Sequence, residues 1–361
     1  MISTRRTPVK KRIFLVLTLL ALLALAVFVL PAAQKKEKNS KFGMLTMLNM
    51  DEEEMTRYVS DNEQALYRLL SGGTKGGDGI GSLAAPAVSV RIVYYDSLDT
   101  MLLALNAGEI VGLETYGATA RYLIRSNPGR LYMAAQNGGE SMNAFVNTVC
   151  GSLLSNDFAF MFRQDSAALR DAINETIAAM KEDGTLDALI ETYIRGVAAG
   201  EAPESIALPY TEGAETLRVA ITGSLPPLDY VAPDGTPAGF NTAMLAEIGR
   251  RMGKNVELVQ VDSIGRAAAL ASGAVDTVFW TRTNHYANLF AMLDQEERRQ
   301  WAAETFGAAT EEEKNALNLI LDLIDIIPFG AGDMPDGTII SDPYYTDAVV
   351  PVLTKDTAGA M

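Results

Sequence analysis

One cysteine and one histidine occur in 361 residues. With Cys150 alone there is no internal disulfide framework and no multi-cysteine metal site. With His285 as the sole imidazole, a zinc centre has too few of its usual ligands. A buried thiol and a surface imidazole account for both residues. Basic side chains are also few: 30 Lys+Arg against 45 Asp+Glu leave a formal charge of −15. That balance excludes the basic footprint that nucleic acid or anionic lipid requires. A GxxxxGK[ST] loop is missing as well. The glycine-rich stretch SGGTKGGDGIGS at 71–82 has neither that spacing nor a GxGxxG between strand and helix. It reads as a flexible surface loop, and no cofactor is expected.

What the chain does have begins at its N-terminus. Arg5, Arg6, Lys10, Lys11 and Arg12 precede an uncharged apolar run at 13–30. As a helix that run rises about 27 Å, close to the hydrocarbon thickness of a bilayer. The basic flank favours a cytoplasmic N-terminus and puts the rest of the chain outside. Pro31-Ala32-Ala33 is a poor cleavage site and the run exceeds a usual signal core, so residues 1–33 are expected to be an uncleaved anchor, with a removed signal peptide as the alternative. A charged tether follows at 34–41.

Two later stretches repeat one another. Residues 91–114 read RIVYYDSLDTMLLALNAGEIVGLE and residues 255–279 read NVELVQVDSIGRAAALASGAVDTVF. Each is an apolar strand, a helix broken at glycine, and a second short apolar strand. LNAGEIVGL (105–113) aligns with LASGAVDTV (270–278) without a gap, which predicts two α/β lobes of like construction. Between them, Leu169, Ile173, Ile177 and Met180 keep one helix face, with Asp165 or Ser166 as its cap. The stripe stops at Asp183-Gly184 and resumes at Leu186, Leu189, Ile190, Tyr193 and Ile194. Near the start, 42–48 (FGMLTML) reads as a strand and acidic 51–70 as a helix. Residues 286–334 read as a two-helix insertion with stripes on Leu289, Met292, Trp301 and Phe306, then on Leu317, Ile320, Leu321, Leu323 and Ile324. The first stripe breaks at Gly307 and the second ends at Pro328. Its Glu-rich faces are expected to be solvated. The insertion enlarges one lobe, caps the site, or meets a partner.

From Leu217 the chain reads LRVAITGSLPPLDYVAPDGTPAGFN, and residues 341–355 read SDPYYTDAVVPVLTK. The ordered series is a strand, PPL-D-Y, a D-G turn, G-F-N opening a helix, a strand, a helix ending A-SG-x-x-D, then D-P-Y-Y. This series resembles the first lobe of the bacterial family 3 extracellular solute-binding proteins. Residues 91–126 and 158–196 resemble that family's second lobe and closing helices. The resemblance implies an α/β, two-lobed periplasmic-binding-protein type II fold with a central cleft. It also implies a circular permutation, because the family's opening strand falls in the C-terminal half here. The connector at about 196–215 is then the join between old termini, inexpensive where domain ends lie close together. Lobe 2 is expected over 42–157 and lobe 1 over 158–355, with closing helices 166–196, and 356–361 as a tail. The implied function is extracytoplasmic binding of a small-molecule ligand for ABC-type uptake or sensing, by a non-enzymatic monomer. Its other partners would be ABC transporter membrane subunits and the membrane itself, through the N-terminal helix.

Open α/β sheets bind ligands at the carboxyl ends of their strands, so the loops after Ile221, Phe279 and Leu113 are expected to line the cleft. The candidates are Thr222, Leu225 and Tyr230; Trp280, Thr281, Arg282 and Thr283; and Glu114, Thr115 and Tyr116. Trp280 is equally readable as core, Arg282 as a solvated charge, and Tyr344 and Tyr345 as packing at the hinge. Relatives that bind α-amino acids fork the carboxylate with an arginine a few residues beyond the strand matching 275–280, a geometry suited to guanidinium. The insertion interrupts that segment, leaving Arg282 as the nearby charged donor. The carboxylate that meets the amino group aligns with Tyr116, and the stacking aromatic with Leu225. An ordinary α-amino acid is therefore not the expected ligand. Two other readings remain: a membrane-tethered degenerate module that binds a protein, and a dehydratase-like enzyme using Glu114 and Asp229 as its acid–base groups.

Overall fold

A computed structural model describes residues 40–45, 90–133, 145, 148–149, 151–153, 155–201, 206–231, 235–262, 265–326 and 335–354. The expected anchor, the helix at 51–70, the loop at 71–82, the tail and Pro328 lie outside the described residues. Among the described residues no helix is long and apolar enough to cross a membrane.

The first sheet region is built from β1 (Ser40–Leu45), β2 (Val90–Tyr95) and β3 (Gly112–Tyr116), parallel, with β1 in the middle. Residues 40 and 41, expected in the tether, open β1 because their backbones pair with Val90 and Arg91. Helix α1 (Leu98–Ala107) starts where the Ser97 hydroxyl accepts the Thr100 N–H and stops at Gly108, whose φ of 74° is left-handed. It and the turn that follows it pack so closely on β1 that a Cβ at Gly43 would lie 2.7 Å from Ile110 Cδ1 and 2.8 Å from Met101 Cγ. Leu98, Met101 and Leu105 of α1 bury against Leu113, Leu123 and Val352. Helix α2 (Gly117–Ser126) follows β3 directly, and β4 (Leu131–Met133) closes this region.

The second region holds β5 (Ser155–Arg163), α3 (Ala167–Glu182) and α4 (Thr185–Ile190), whose last turns continue to Ala199. It continues with β6 (Thr216–Ile221), a small antiparallel sheet of β7 (Ser224–Leu225), β8 (Asp229–Val231) and β9 (Pro237–Ala238), and α5 (Gly239–Met252). Next come β10 (Asn255–Gln260), α6 (Gly265–Ala271) and β11 (Thr277–Asn284). The apolar stripe of α3 and α4 faces as expected: Ile173, Ile177, Met180 and Leu186 share one core with Leu217 and Val219 of β6 and Phe240, Met244 and Ile248 of α5. Ser166 precedes α3, but its side chain makes no capping bond; it donates instead to Asp165 Oδ1 at 3.0 Å.

Among the described residues the insertion has three helices where two were expected: α7 (Ala287–Met292), α8 (Gln295–Phe306) and α9 (Glu311–Ile326). Asp294 and Glu297 form a reciprocal capping box that starts a new helix inside the first predicted stripe. Gly307 ends α8 in the left-handed conformation, as its position implied.

Strands β12 (Thr338–Ile340) and β13 (Tyr345–Thr354) complete the sheet, ordered β10-β6-β11-β5-β13-β3-β1-β2. Strand β13 is the link. Its residues Tyr345 to Ala348 pair antiparallel with β5, and Val349 to Leu353 pair antiparallel with β3. One long strand therefore belongs to both sheet regions, and β5 runs beside it in the opposite direction. This is a curled α/β sheet whose two regions meet across β5 and β13.

Candidate functional site

The junction between the two regions gathers side chains from β3, β5, β8, β11 and β13. Trp280 and Arg282 of β11, where the pairing register shifts between Val278 and Thr281, both reach Tyr116 of β3, and Glu114 and Tyr116 share one face of β3. Tyr116 meets Phe158 edge-on with ring centroids 4.7 Å apart and Trp280 at 5.9 Å, while Phe158 lies 5.8 Å from Trp280 and 5.5 Å from Tyr345. Edge-to-face geometry sets positive ring edges against negative ring faces, which holds such a cluster in register.

Around the rings lies buried charge. Asp229, fully buried, accepts five hydrogen bonds: Thr222 N–H at 2.7 Å, Thr222 hydroxyl at 2.8 Å, Gly223 N–H at 3.2 Å, Asn241 Nδ2 at 3.0 Å and Trp280 Nε1 at 3.0 Å. Burial pushes its carboxyl up and the Thr222 bonds oppose that. Saturated in this way, Asp229 ties Thr222 to Trp280 and has little capacity left for acid–base work. Arg266 of α6 is also buried; its guanidinium lies 4.2 Å from the Trp280 ring centroid and donates to the Trp280 carbonyl at 2.8 Å.

Glu114 differs from Asp229. It is 3% exposed, and neither of its carboxylate oxygens has a hydrogen-bond partner among the described residues. Burial holds its pKa well above the usual carboxylate range, with the charge of Arg282 as the opposing influence. Arg282, also 3% exposed, reaches the Tyr116 hydroxyl at 3.5 Å from Nη1. An orphaned buried carboxylate is costly. Here it stands near a buried guanidinium brought from the other sheet region.

The structure therefore brings Glu114, Tyr116, Trp280 and Arg282 together, and joins Thr222 to them through Asp229. Thr115 and Thr281 are buried, their hydroxyls without a hydrogen-bond partner among the described residues, on the opposite strand faces from Glu114 and Arg282. Leu225 is packed in the core, and Tyr230 and Thr283 are half-buried. One expectation is corrected. Phe279 does not end a strand: Thr281 to Asn284 continue β11 as antiparallel partners of Ala159 to Asn156 on β5. Likewise Glu114, Thr115 and Tyr116 are strand residues paired with β13, not loop residues. Tyr344 packs, donating its hydroxyl to the Phe279 carbonyl at 2.7 Å. His285 is exposed, but its Nδ1 lies 2.8 Å from Asp157 Oδ1, which also accepts the Thr346 hydroxyl of β13 at 2.6 Å. Arg266 was not foreseen as a site residue.

The segment that supplies Thr222, Asp229, Arg266, Trp280 and Arg282 is also the segment with a recognisable sequence. Residues 217–295 match the family model of bacterial extracellular solute-binding proteins, family 3. The match to this solute-binding family runs from β6 to the start of α8, so it takes in one wall of the junction. No curated protein matches the chain. Among solved structures, the chain is similar to the ligand-binding component of an ABC-type import system from Staphylococcus aureus, at 12% identity and TM-score 0.35 over 90% of this chain and 70% of that one. It is similar to the alkanesulfonate-binding protein SsuA of Xanthomonas axonopodis pv. citri, at 10% identity and TM-score 0.33 over 89% and 67%. A third is the VFT2 domain of Bordetella pertussis BvgS, at 12% identity and TM-score 0.32 over 88% and 81%.

Proposed function

We propose that this chain is an extracytoplasmic solute-binding protein that takes a small ligand at the junction, between Glu114 and Arg282, for uptake or sensing. The observation that carries the reading is the pair itself: a buried carboxylate with no hydrogen-bond partner for either oxygen among the described residues, near a buried guanidinium from the opposite sheet region. A ligand that bridges them offers a hydrogen-bond donor or cation to Glu114 and an acceptor or anion to Arg282. The Glu114 carboxylate would then be satisfied only when the two regions close on the ligand, the coupling expected of hinge-closing binding proteins. The family match over 217–295 supports the class of function. Tyr116 and Leu225 stand where the family's amino-group carboxylate and stacking aromatic are expected, so an ordinary α-amino acid is not the ligand proposed.

The test is to purify the full chain under native conditions, denature it, and identify released small molecules by mass spectrometry. A stoichiometric ligand that raises the melting temperature of ligand-free protein in proportion to the logarithm of its concentration is the expected result. No released ligand, together with no shift across a metabolite panel, would remove the reading.

A second reading has one observation in its favour. The rings of Tyr116, Phe158 and Trp280 already fill part of the junction with one another. A module that has given up solute binding and works through a protein partner would look the same there, and it is what a null result in that test would favour.

A further inference from the structure

Between Val278 and Thr281, strand β11 carries one residue more than β5 opposite it. Val278 pairs with Met161, Thr281 with Ala159 and Arg282 with Phe158, so Phe279 and Trp280 together stand against Phe160. This is a β-bulge. Opposed residues share a sheet face, and the cores agree: Val278 lies with Met161 in one, while Phe279 and Trp280 lie with Phe158 and Phe160 in the other. The bulge decides where Arg282 points. If the ladder ran on from Val278 and Met161 without a break in register, Arg282 would oppose Asp157. It would then turn to the other face, because a slip of one residue exchanges the faces of every side chain beyond it. With the bulge, Arg282 stands on the Phe158 face and reaches the Tyr116 hydroxyl.

A bulge disrupts the ladder locally, and in a buried strand each displaced carbonyl needs another partner. Here two buried side chains supply them. The Tyr344 hydroxyl donates to the Phe279 carbonyl at 2.7 Å, and Arg266 Nη1 donates to the Trp280 carbonyl at 2.8 Å. Tyr344 immediately precedes β13, the strand shared by both sheet regions, and Arg266 belongs to α6. The Arg266 guanidinium does more than donate, since it lies 4.2 Å from the centroid of the Trp280 ring whose N–H is held by Asp229. A carbonyl and an indole face in one place suit a planar, charged fork better than a neutral donor.

We propose that Arg266, with Tyr344, is a positioning residue of the junction: by holding the two bulged carbonyls it fixes the register that turns Arg282 toward Tyr116 and Glu114. Arg266 acts through Arg282 and need not touch the ligand. Its meaning for binding rests on the junction being the ligand site. The register does not, and it can be read without any ligand.

Disulfide trapping in the full chain reads that register. Cys150→Ser removes the native thiol, and two reporter pairs are then introduced in separate proteins. Thr283→Cys with Asp157→Cys places thiols at directly opposed positions of the bulged register. Thr283→Cys with Asn156→Cys is opposed only if the bulge is lost. Disulfides need close, facing Cβ atoms, so each pair closes in its own register. At equilibrium with glutathione the first pair is expected to close and the second to stay reduced. Arg266→Met keeps an unbranched side chain but removes the donors, and should shift the balance toward the second pair by about ten-fold, the scale of one lost buried hydrogen bond. Met101→Ala, a truncation in the core of the other sheet region, should lower the melting temperature and leave the balance where it was. An unchanged balance in Arg266→Met, or an equal shift in Met101→Ala, overturns the proposal. If Arg266→Met does not fold, Tyr344→Phe carries the test, because it keeps the ring and removes the donor to the other carbonyl. The same shift then supports the proposal, and the wild-type balance overturns it. Failure to find any co-purified ligand would remove the proposed function and leave this result standing.

Discussion

Trp280 donates its indole N–H to Asp229 Oδ2 at 3.0 Å, joining a ring of the junction to a carboxylate that also gathers Thr222, Gly223 and Asn241. The bond fixes the plane of the indole, and Arg266 lies against the same ring. Trp280→Phe keeps most of the apolar area but removes one donor from a buried carboxylate. The expected loss is about 1–3 kcal/mol of unfolding free energy, measured by urea denaturation. A loss no larger than that of a surface substitution would show that Asp229 does not need this donor.

Glu114 gives the pH dependence. Burial raises its folded-state pKa, so the folded protein binds its proton more tightly than the unfolded chain does. Its contribution to stability is therefore full below the unfolded carboxyl pKa and is lost as pH rises through the raised folded value. Glu114→Gln cannot ionise, so its stability should fall less with rising pH than that of the wild type. Urea melts across mildly acidic to alkaline pH give both slopes; a wild type that gains stability relative to the variant as pH rises reverses the sign and refutes this.

Arg282→Ala should weaken the co-purified ligand by about 2–5 kcal/mol, the range for truncating one partner of a buried charge pair. The twenty standard amino acids should show weak or no heat in calorimetry with the wild type. Tight binding of any of them, or unchanged ligand affinity in the variant, would mean that the binding groups lie elsewhere.

The architecture predicts how the chain can be cut. β5, α3 and α4 share sheet and core with β6, β11 and α5, while β13 pairs with β3. Neither 1–203 nor 204–361 should fold alone, and the two fragments expressed together should associate and recover the near-ultraviolet circular dichroism of the intact chain. A cooperative thermal transition in either fragment by itself would contradict the shared core.

Much of this arrangement was readable in the residues. The stripe Ile173, Ile177, Met180 and Leu186 announced a buried helix pair, and the doubled strand–helix–strand pattern predicted two α/β units of like construction. Trp280 and Arg282 were legible as candidates because an indole and a guanidinium follow an apolar run, although the strand runs on through them to Asn284. Arg266 was not: one arginine in GRAAALA reads as a solvated helix charge, and only packing against Trp280 makes it core. Asp347 was equally hidden. Its bond to Ala118 spans a sequence separation of 229, and no local pattern encodes that. The third helix of the insertion escaped because Asp294 and Glu297 act as a cap inside what the apolar spacing read as one continuous helix.

The position of β13 bears on how the molecule is made. β3 has β1 on one side from early in synthesis, but its other neighbour is the last strand described in the chain. A polypeptide emerging N-terminus first therefore carries β3 with an open edge while everything from β4 to β12 is still being produced. Open edges recruit other strands, and pairings this distant in sequence form slowly. Such a nascent chain is a natural client for a holdase chaperone, and its first half should be most prone to aggregate when synthesis stalls before Tyr345.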